Sequence, residues 1–237
     1  MRINTEYRSD ASEIMDDFSL KGEMLADALD KIAKINQLLG GNKLTLEGIK
    51  KLIKNIPHQN EICIIDLGCG NGDMLRCLAD YGLDNHYNFK LIGVDANAFT
   101  VNYAKKNSIQ YADIDYLSED IFNFPFDDFK IDIVLCTLTL HHFKDEEIIR
   151  LMKTVVRHAQ IGTIVNDLQR SKLAYKLFQI LCFVFRLNKM SRQDGLISIL
   201  RGFKKTDLLA FSKKLKLSRY TIEWKWAFRY QWIIYKS

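Results

Sequence analysis

The apolar positions of this 237-residue chain change their period twice. Between residues 10 and 56 they recur at helical spacing. Met24, Leu25, Ala28, Leu29, Ile32, Ile35, Leu38 and Leu39 fall on one face. Asp10 and Glu13 are placed to pair as an N-terminal cap, and Gly40-Gly41 is expected to stop this helix. Thr45 is expected to cap a second helix that ends near Pro57, with Leu46, Ile49, Leu52 and Ile53 inside.

From residue 61 short apolar runs alternate with helical stretches. Strands are predicted at 62–67, 90–95, 114–117, 131–137 and 161–167, and helices at 73–81, 98–107 and 145–158. Apolar strands separated by helices argue for a parallel sheet covered on both faces. Right-handed crossovers then collect the strand C-termini on one ligand-binding edge. After residue 167 the alternation breaks. Residues 171–187 read as an apolar, aromatic helix, and "MSRQDGLISILRGF" follows. Residues 205–217 read as an amphipathic helix with Thr206 at its cap and Leu208, Leu209, Phe211 and Leu215 inside. Two strands end the chain, the second at 228–235, as an antiparallel hairpin on the sheet edge. The expected fold is α/β, a Rossmann-like, seven-stranded, mostly parallel sheet. It has a C-terminal antiparallel hairpin, N-terminal helices and a helical insertion before the last helix. Residues 1–57 would form a helical cap and 58–237 the main domain, with 168–203 inserted over the ligand edge.

Composition narrows the class. A hydrophobic fraction of 48% supports a sizeable core, and two prolines with no low-complexity tract leave little scope for disorder. The five cysteines are odd in number and form no C-x-x-C pair, which points to reduced, mostly buried thiols and to no metal site. The start lacks the apolar core of a signal peptide, so a cytoplasmic protein is expected. The net charge of +5 hides an asymmetry: residues 171–237 hold 15 Lys/Arg against 3 Asp/Glu. A solvated basic face is the simple reading. The alternative is contact with a membrane surface, an acidic carrier protein or an acidic substrate. The 171–187 helix is too short to span a bilayer. A buried cap helix is the preferred reading, and an interfacial helix the other.

The candidate chemistry centres on "DLGCGNG" at 66–72. A strand ending in a carboxylate, a glycine turn and a helix start can hold a nucleotide. Asp95 closes the next strand, where a carboxylate can accept both hydroxyls of a ribose. The spacing is G-x-G-x-G rather than G-x-G-x-x-G. Asp66 would repel a pyrophosphate but suit a cationic, phosphate-free ligand.

"IIDLGCGNG", "IGVDAN", "SEDIFNFPF" and "FKIDIVLCTLTLHHF" occur in that order over about residues 60–145. They resemble the four motifs of class I S-adenosylmethionine-dependent methyltransferases, whose usual C-terminal hairpin is also similar. The resemblance implies S-adenosylmethionine as cofactor and S-adenosylhomocysteine as product. It implies that Asp66, Gly68, Gly70 and Gly72 line the methionine and ribose part, and that Asp95 holds the ribose hydroxyls. Gly72 fits a simple helix-start glycine equally well. Ala96 would pack on the adenine, Asp120 and the Ile121 N–H would meet its edge, and Thr137 and Leu138 would face the methionine end. His141, His142 and Asp167 are the candidate bases for an acceptor proton. Against this, the histidines could serve only to pack or hydrogen-bond their loop.

"VNDLQRSKLAYKLFQ" and "RQDGLISILRGFKKTDL", with "SEIMDDF" and "IAKINQLLGG", are similar to bacterial quinone, polyketide and phenolic-lipid methyltransferases. This implies an acceptor pocket near Arg170, Tyr175, Arg192, Asp194 and Arg201, although the arginines fit surface or ion-pair roles as well. The expected reaction is methyl transfer to a hydroxyl of an apolar aromatic or lipid-like small molecule, with peripheral membrane contact allowed and no DNA partner. The alternatives are C-methylation of a quinol-type ring, an RNA or protein methyltransferase, a cofactor binder without turnover, and a nicotinamide oxidoreductase. Asp66 and the glycine spacing disfavour the last.

Overall fold

The computed structural model describes residues 3–236. Two helices, α1 (Glu23–Leu38) and α2 (Gly41–Ile53), lead into β1 (Glu61–Leu67), α3 (Asp73–Asn85), β2 (Asn88–Asp95), α4 (Ala98–Asn107) and β3 (Ile114–Ser118). Then come β4 (Ile133–Thr137), α5 (Asp145–His158) and β5 (Gly162–Leu168), followed by α6 (Lys172–Val184), α7 (Lys189–Arg201) and α8 (Lys205–Lys214). The chain closes with β6 (Tyr220–Lys225) and β7 (Arg229–Tyr235). One sheet of seven strands has the order β3-β2-β1-β4-β5-β7-β6. Its first five strands are parallel, and β7 runs antiparallel between β5 and β6. The pairs Leu67↔Val94, Thr137↔Asn166 and Leu168↔Arg229 bring four strand C-termini and the start of β7 to one edge.

Alternate strand residues face opposite sides of the sheet, so each face builds its own core. On one side Ile65, Val134, Cys136 and Trp232 pack with Ile148 and Met152 of α5 and Phe211 of α8. On the other, Ile64, Leu135 and Ile164 pack with Ile49 and Ile53 of α2 and Leu75 and Leu78 of α3. Each such buried aliphatic side chain contributes roughly 1.5–3 kcal/mol. All five cysteines are free and four are buried.

Several boundaries depart from the pattern. The first helix starts at Glu23, not near residue 10; before it stands only a 3-10 turn at Ile14–Asp16. There Glu13 pairs with Asp16 in a capping box, not with Asp10. The N–H groups of Ile14 and Met15 donate to Asp194, so distant hydrogen bonds replace helical ones. Helix α2 starts at Gly41, because Gly40 takes a left-handed φ of 77°. Thr45 therefore lies inside α2, where its hydroxyl meets Thr137 and Asn166. Lys204 rather than Thr206 caps α8, and Leu209 faces outward, as do Met24 and Leu38.

Helix α6 differs most from expectation. Only Ala174 and Cys182 of this helix are buried. Cys182 packs against Ile35 of α1, while Leu173, Ile180, Phe183 and Val184 are exposed, Phe183 at 82%. The preferred reading of a buried cap helix is thus corrected: one side packs, and the other has no protein over it among the described residues.

Candidate active site

The chain leaves β1 through the glycine loop at the ligand edge. At Gly70, φ is 54° and an added Cβ would meet nothing nearer than Leu29 Cδ2 at 3.9 Å, so this backbone faces open space. At Gly72 φ is 78° and an added Cβ would strike the Tyr116 hydroxyl, so packing alone accounts for a glycine there. Asp95 accepts the Gly70 N–H at 3.1 Å and the Asn97 N–H at 3.0 Å, which fixes its carboxylate beside the loop. Burial pushes its pKa up against those two hydrogen bonds. Asp66 is 2% exposed, and its Oδ1 has no hydrogen-bond partner. Burial, then Asp73 and Asp95, hold its carboxyl well above the usual range. Asp120 accepts the Phe122 N–H at 2.9 Å. Leu138 adopts φ 55°, a left-handed conformation that costs a leucine roughly 1–2 kcal/mol.

A cavity of about 1260 Å³ opens from this loop. One small-molecule site takes roughly 300–1,000 Å³, so this space suffices for two ligands together. Asp66, Gly68, Gly70, Asp95, Ala96, Asp120, Ile121, Thr137 and Leu138 line it, with His141, His142, Arg170, Asp194 and Arg201. Gly72, Asp167, Tyr175 and Arg192 are outside the lining, and Arg192 is exposed.

The other end of the cavity is built on a 3-10 turn at Leu140–His142. His141 is buried, with Nδ1 2.7 Å from Asp167 Oδ1, and its backbone N–H donates to Asp167 Oδ2. Burial pushes Asp167 up, but His141 and the Leu168 N–H outweigh it and leave the carboxyl below its ordinary pKa. His141 Nε2 lies 3.8 Å from Glu13 Oε1. His142 Nδ1 is 2.7 Å from Asp16 Oδ1 and 3.9 Å from the same Glu13 oxygen. Glu13 Oε2 accepts the Ser198 hydroxyl at 2.7 Å, whereas Oε1 has no hydrogen-bond partner. Burial outweighs His142, Ser198 and Arg201, and raises Glu13 to about 7. Burial also acts on Asp16, yet His142 and Arg201 bring it well below the carboxylate range.

Glu13, His141 and His142 present ligand atoms within 4.8 Å of one another, the one group of described residues that could hold a metal ion. Asp16 already occupies His142 Nδ1, and the Arg201 guanidinium stands 3.6 Å from Glu13 Oε1. A proton-sharing network suits these partners better than a divalent cation.

The insertion residues act as braces. Arg201 donates to the His141 and His142 carbonyls and to Asp16 at 2.6 Å. Asp194 accepts from Ile14 and Met15, and Arg170 donates to the Gly202 carbonyl and pairs with Asp207. Arg8 ties the N-terminal segment to Asp145 and to the His141 and Phe143 carbonyls. Sequence reasoning missed Glu13, Asp16, Ser198 and Arg8 as parts of the site. The one available signal was the acid spacing in "SEIMDDF".

Residues 64–162 match the family described as "Methyltransferase domain". The ribosomal RNA large subunit methyltransferase G of Shewanella amazonensis is 25% identical over 115 residues, 47% of this chain. That match spans only 29% of the relative's length. The plantazolicin methyltransferase BpumL, solved with S-adenosylhomocysteine, superposes with a TM-score of 0.67 at 15% identity, over 88% of this chain and 89% of that one. The magnesium protoporphyrin IX methyltransferase ChlM of Synechocystis PCC 6803, solved with S-adenosylmethionine, gives 0.56 at 16% identity, over 86% and 84%. At such identities the likeness is one of fold. The domain match and the glycine loop at the ligand edge place a methyltransferase domain at residues 64–162, on a fold shared with methyltransferases solved with S-adenosylmethionine or S-adenosylhomocysteine.

Proposed function

We propose that the chain transfers the methyl group of S-adenosylmethionine to a hydroxyl of an apolar aromatic or lipid-like small molecule. The observation that carries this reading is one cavity shared by the Asp66–Asp95 loop and His141, whose Nδ1 Asp167 holds from behind the wall. The cofactor supplies a cationic sulfonium that gives up its methyl group. Asp66, buried with a free oxygen and no cation, suits that charge; Asp95 would take the ribose hydroxyls, and Ala96, Asp120 and Ile121 the adenine. Gly68 and Gly70 would lie along the ribose and methionine, and Thr137 and Leu138 at the methionine end.

On the acceptor side, His141 Nε2 takes the hydroxyl proton while Asp167 holds Nδ1–H and balances the charge. The O–CH3 bond forms as the S–CH3 bond breaks. Glu13, 3.8 Å from Nε2, sets the field around that proton. His142, on Asp16, is the second candidate base. Holding nucleophile and methyl about 3 Å apart and in line can supply several kcal/mol. Arg170, Asp194 and Arg201 keep the roof in place, whereas Tyr175 and Arg192 lie outside the cavity wall.

The wall includes Leu25, Leu29, Leu177, Phe178, Leu181 and Ile199, which suits an apolar acceptor. Contact with a membrane surface belongs to the same reading. The exposed face of α6 carries Leu173, Ile180, Phe183 and Val184 beside Lys172 and Lys176, and residues 171–193 contain no acid. Among the described residues no helix is long and apolar enough to cross a membrane. A methyl-transfer assay against phenols, quinols, hydroxylated lipids and a mixed RNA pool tests the proposal. Apolar hydroxyl compounds should turn over to O-methyl products. Methylation confined to RNA, to ring carbon or to short polar acceptors would overturn it.

A further inference from the structure

Arg229 begins β7 opposite Leu168 and forms part of the cavity wall. It is 3% exposed, and neither Nε nor Nη1 has a hydrogen-bond partner. Three other arginines of the wall are paired: Arg8 with Asp145, Arg170 with Asp207 and Arg201 with Asp16. Burial pushes Arg229 down to about 10, which still leaves it a cation at neutral pH. A guanidinium taken out of water with donors unused is costly, and the cost is recovered only when an acceptor arrives.

The fold does not supply that acceptor. Asp167 and Asp73 act on Arg229 through space only. Asp167 is engaged by His141 and the Leu168 N–H, and Asp73 Oδ2 by Asn42. In contrast, Asp66 Oδ1, Asn166 Oδ1 and Gln231 Oε1 are buried acceptors without donors. Ligand groups that donate can satisfy those oxygens. Arg229 needs an anion. A planar carboxylate matches two N–H donors of the guanidinium fork. The nearby fields of Asp73 and Asp167 favour a single negative charge over a doubly charged phosphate.

We propose that Arg229 is a carboxylate-binding site in the cavity wall. Two sources bring a carboxylate there: the amino-acid part of the cofactor, and an acidic group on the acceptor. Asp73, whose field Arg229 feels, starts α3 directly after the glycine loop, which is the cofactor side. Strands β4 and β5 separate β7 from β1, a distance of roughly 14 Å, which is the acceptor side. The inference rests on the methyltransferase reading for these two sources alone.

Calorimetry on the full chain with two ligand pairs tests it. The first pair is S-adenosylhomocysteine and 5′-methylthioadenosine, which lacks the amino acid. The second is an alkyl-substituted hydroxybenzoate and its primary amide, titrated with S-adenosylhomocysteine present. Arg229→Met should weaken the carboxylate member of one pair at least tenfold and leave its carboxylate-free partner within twofold. Loss in the first pair identifies the cofactor as the source, and loss in the second the acceptor. Arg229→Lys, which keeps the charge without the fork, should fall between. The ligand-free Tm of Arg229→Met should be unchanged or higher, because no protein partner is lost. Equal affinities in wild type and variant for both pairs would overturn the proposal, as would a Tm lowered by several degrees. Wild-type protein that binds neither nucleoside would sink the cofactor reading, while the hydroxybenzoate pair would still decide for Arg229.

Discussion

At the glycine-loop end of the cavity, buried Asp66 and half-buried Asp95 have no ion-pair partner among the described residues. At the other end Glu13, Asp16 and Asp167 each face a histidine or Arg201. The first arrangement keeps carboxylates in wait for a ligand that brings its own positive charge. Backbone N–H groups hold Asp95 rigidly, so little reorganises on binding. The second arrangement shares protons among side chains already present. Its carboxyls are driven apart, Glu13 upward and Asp16 and Asp167 downward, which separates proton-holding from charge-holding roles. If, as proposed, one end binds the cofactor and the other handles a proton, substitutions at the two ends should part accordingly.

The largest effect is expected at the proton-handling end. His141→Gln should lower kcat by about 10²–10⁴-fold, the usual worth of a general base, and change S-adenosylhomocysteine affinity less than threefold. Single-turnover rates and calorimetry on the same preparation check both halves. A variant that lost affinity instead would merge the two ends into one. Asp95→Ala should do the reverse and weaken S-adenosylhomocysteine roughly 10²-fold, through two charge-assisted hydrogen bonds of about 1.5 kcal/mol each. Unchanged affinity would remove Asp95 from the ribose.

The two ends also differ in how far the sequence discloses them. Asp66, Gly70 and Asp95 belong to short strand-loop-helix units, whose pattern is local and whose strand ends fall on one edge by topology. The parallel sheet, its terminal hairpin and the cavity edge were legible for the same reason: short apolar runs between helices admit few arrangements. The proton-handling end is assembled from far-apart segments. Ser198 meets Glu13 across 185 residues and His142 meets Asp16 across 126. No periodicity links such positions. Residues 10–22 even read as helical, because their apolar spacing is visible while the Asp194 and Arg201 bonds that hold them irregular are not. Helix α6 misled for a related reason: apolar content predicts burial only where a partner surface exists, and the fold offers one on a single side.

Glu13 sharpens the comparison through pH. Its folded pKa of about 7 lies above its ordinary 4.5, so folding favours the protonated form. The associated stability is complete below 4.5 and is lost as pH rises to about 7, a span of about 3 kcal/mol as an upper figure. Asp167, whose pKa is lowered, acts oppositely: its contribution is present above the ordinary carboxyl value of 3.8 and disappears as pH falls below it. Urea unfolding of wild type and Glu13→Gln at pH 5 and pH 8 isolates the first effect. The variant should gain on wild type as pH rises, and the kcat profile should lose a limb near neutrality. Parallel stability curves would place Glu13 in water and remove it from the network.

The smallest effect on the fold, and a separate test of the roof, is expected at α6. Phe183 and Ile180 are 82% and 61% exposed, so the double change to serine removes little buried area and should alter unfolding free energy by no more than about 0.5 kcal/mol. Flotation with vesicles of phosphatidylcholine and phosphatidylglycerol reads the other consequence. Wild type should float with the mixed vesicles and far less with phosphatidylcholine alone, because Lys172 and Lys176 add attraction to anionic headgroups beside the apolar stripe. The double variant should remain in the lower fraction while its S-adenosylhomocysteine affinity stays at the wild-type value. If instead the variant converts a dimer of wild type into a monomer, the stripe is a protein interface, and an apolar acceptor must enter the cavity from solution.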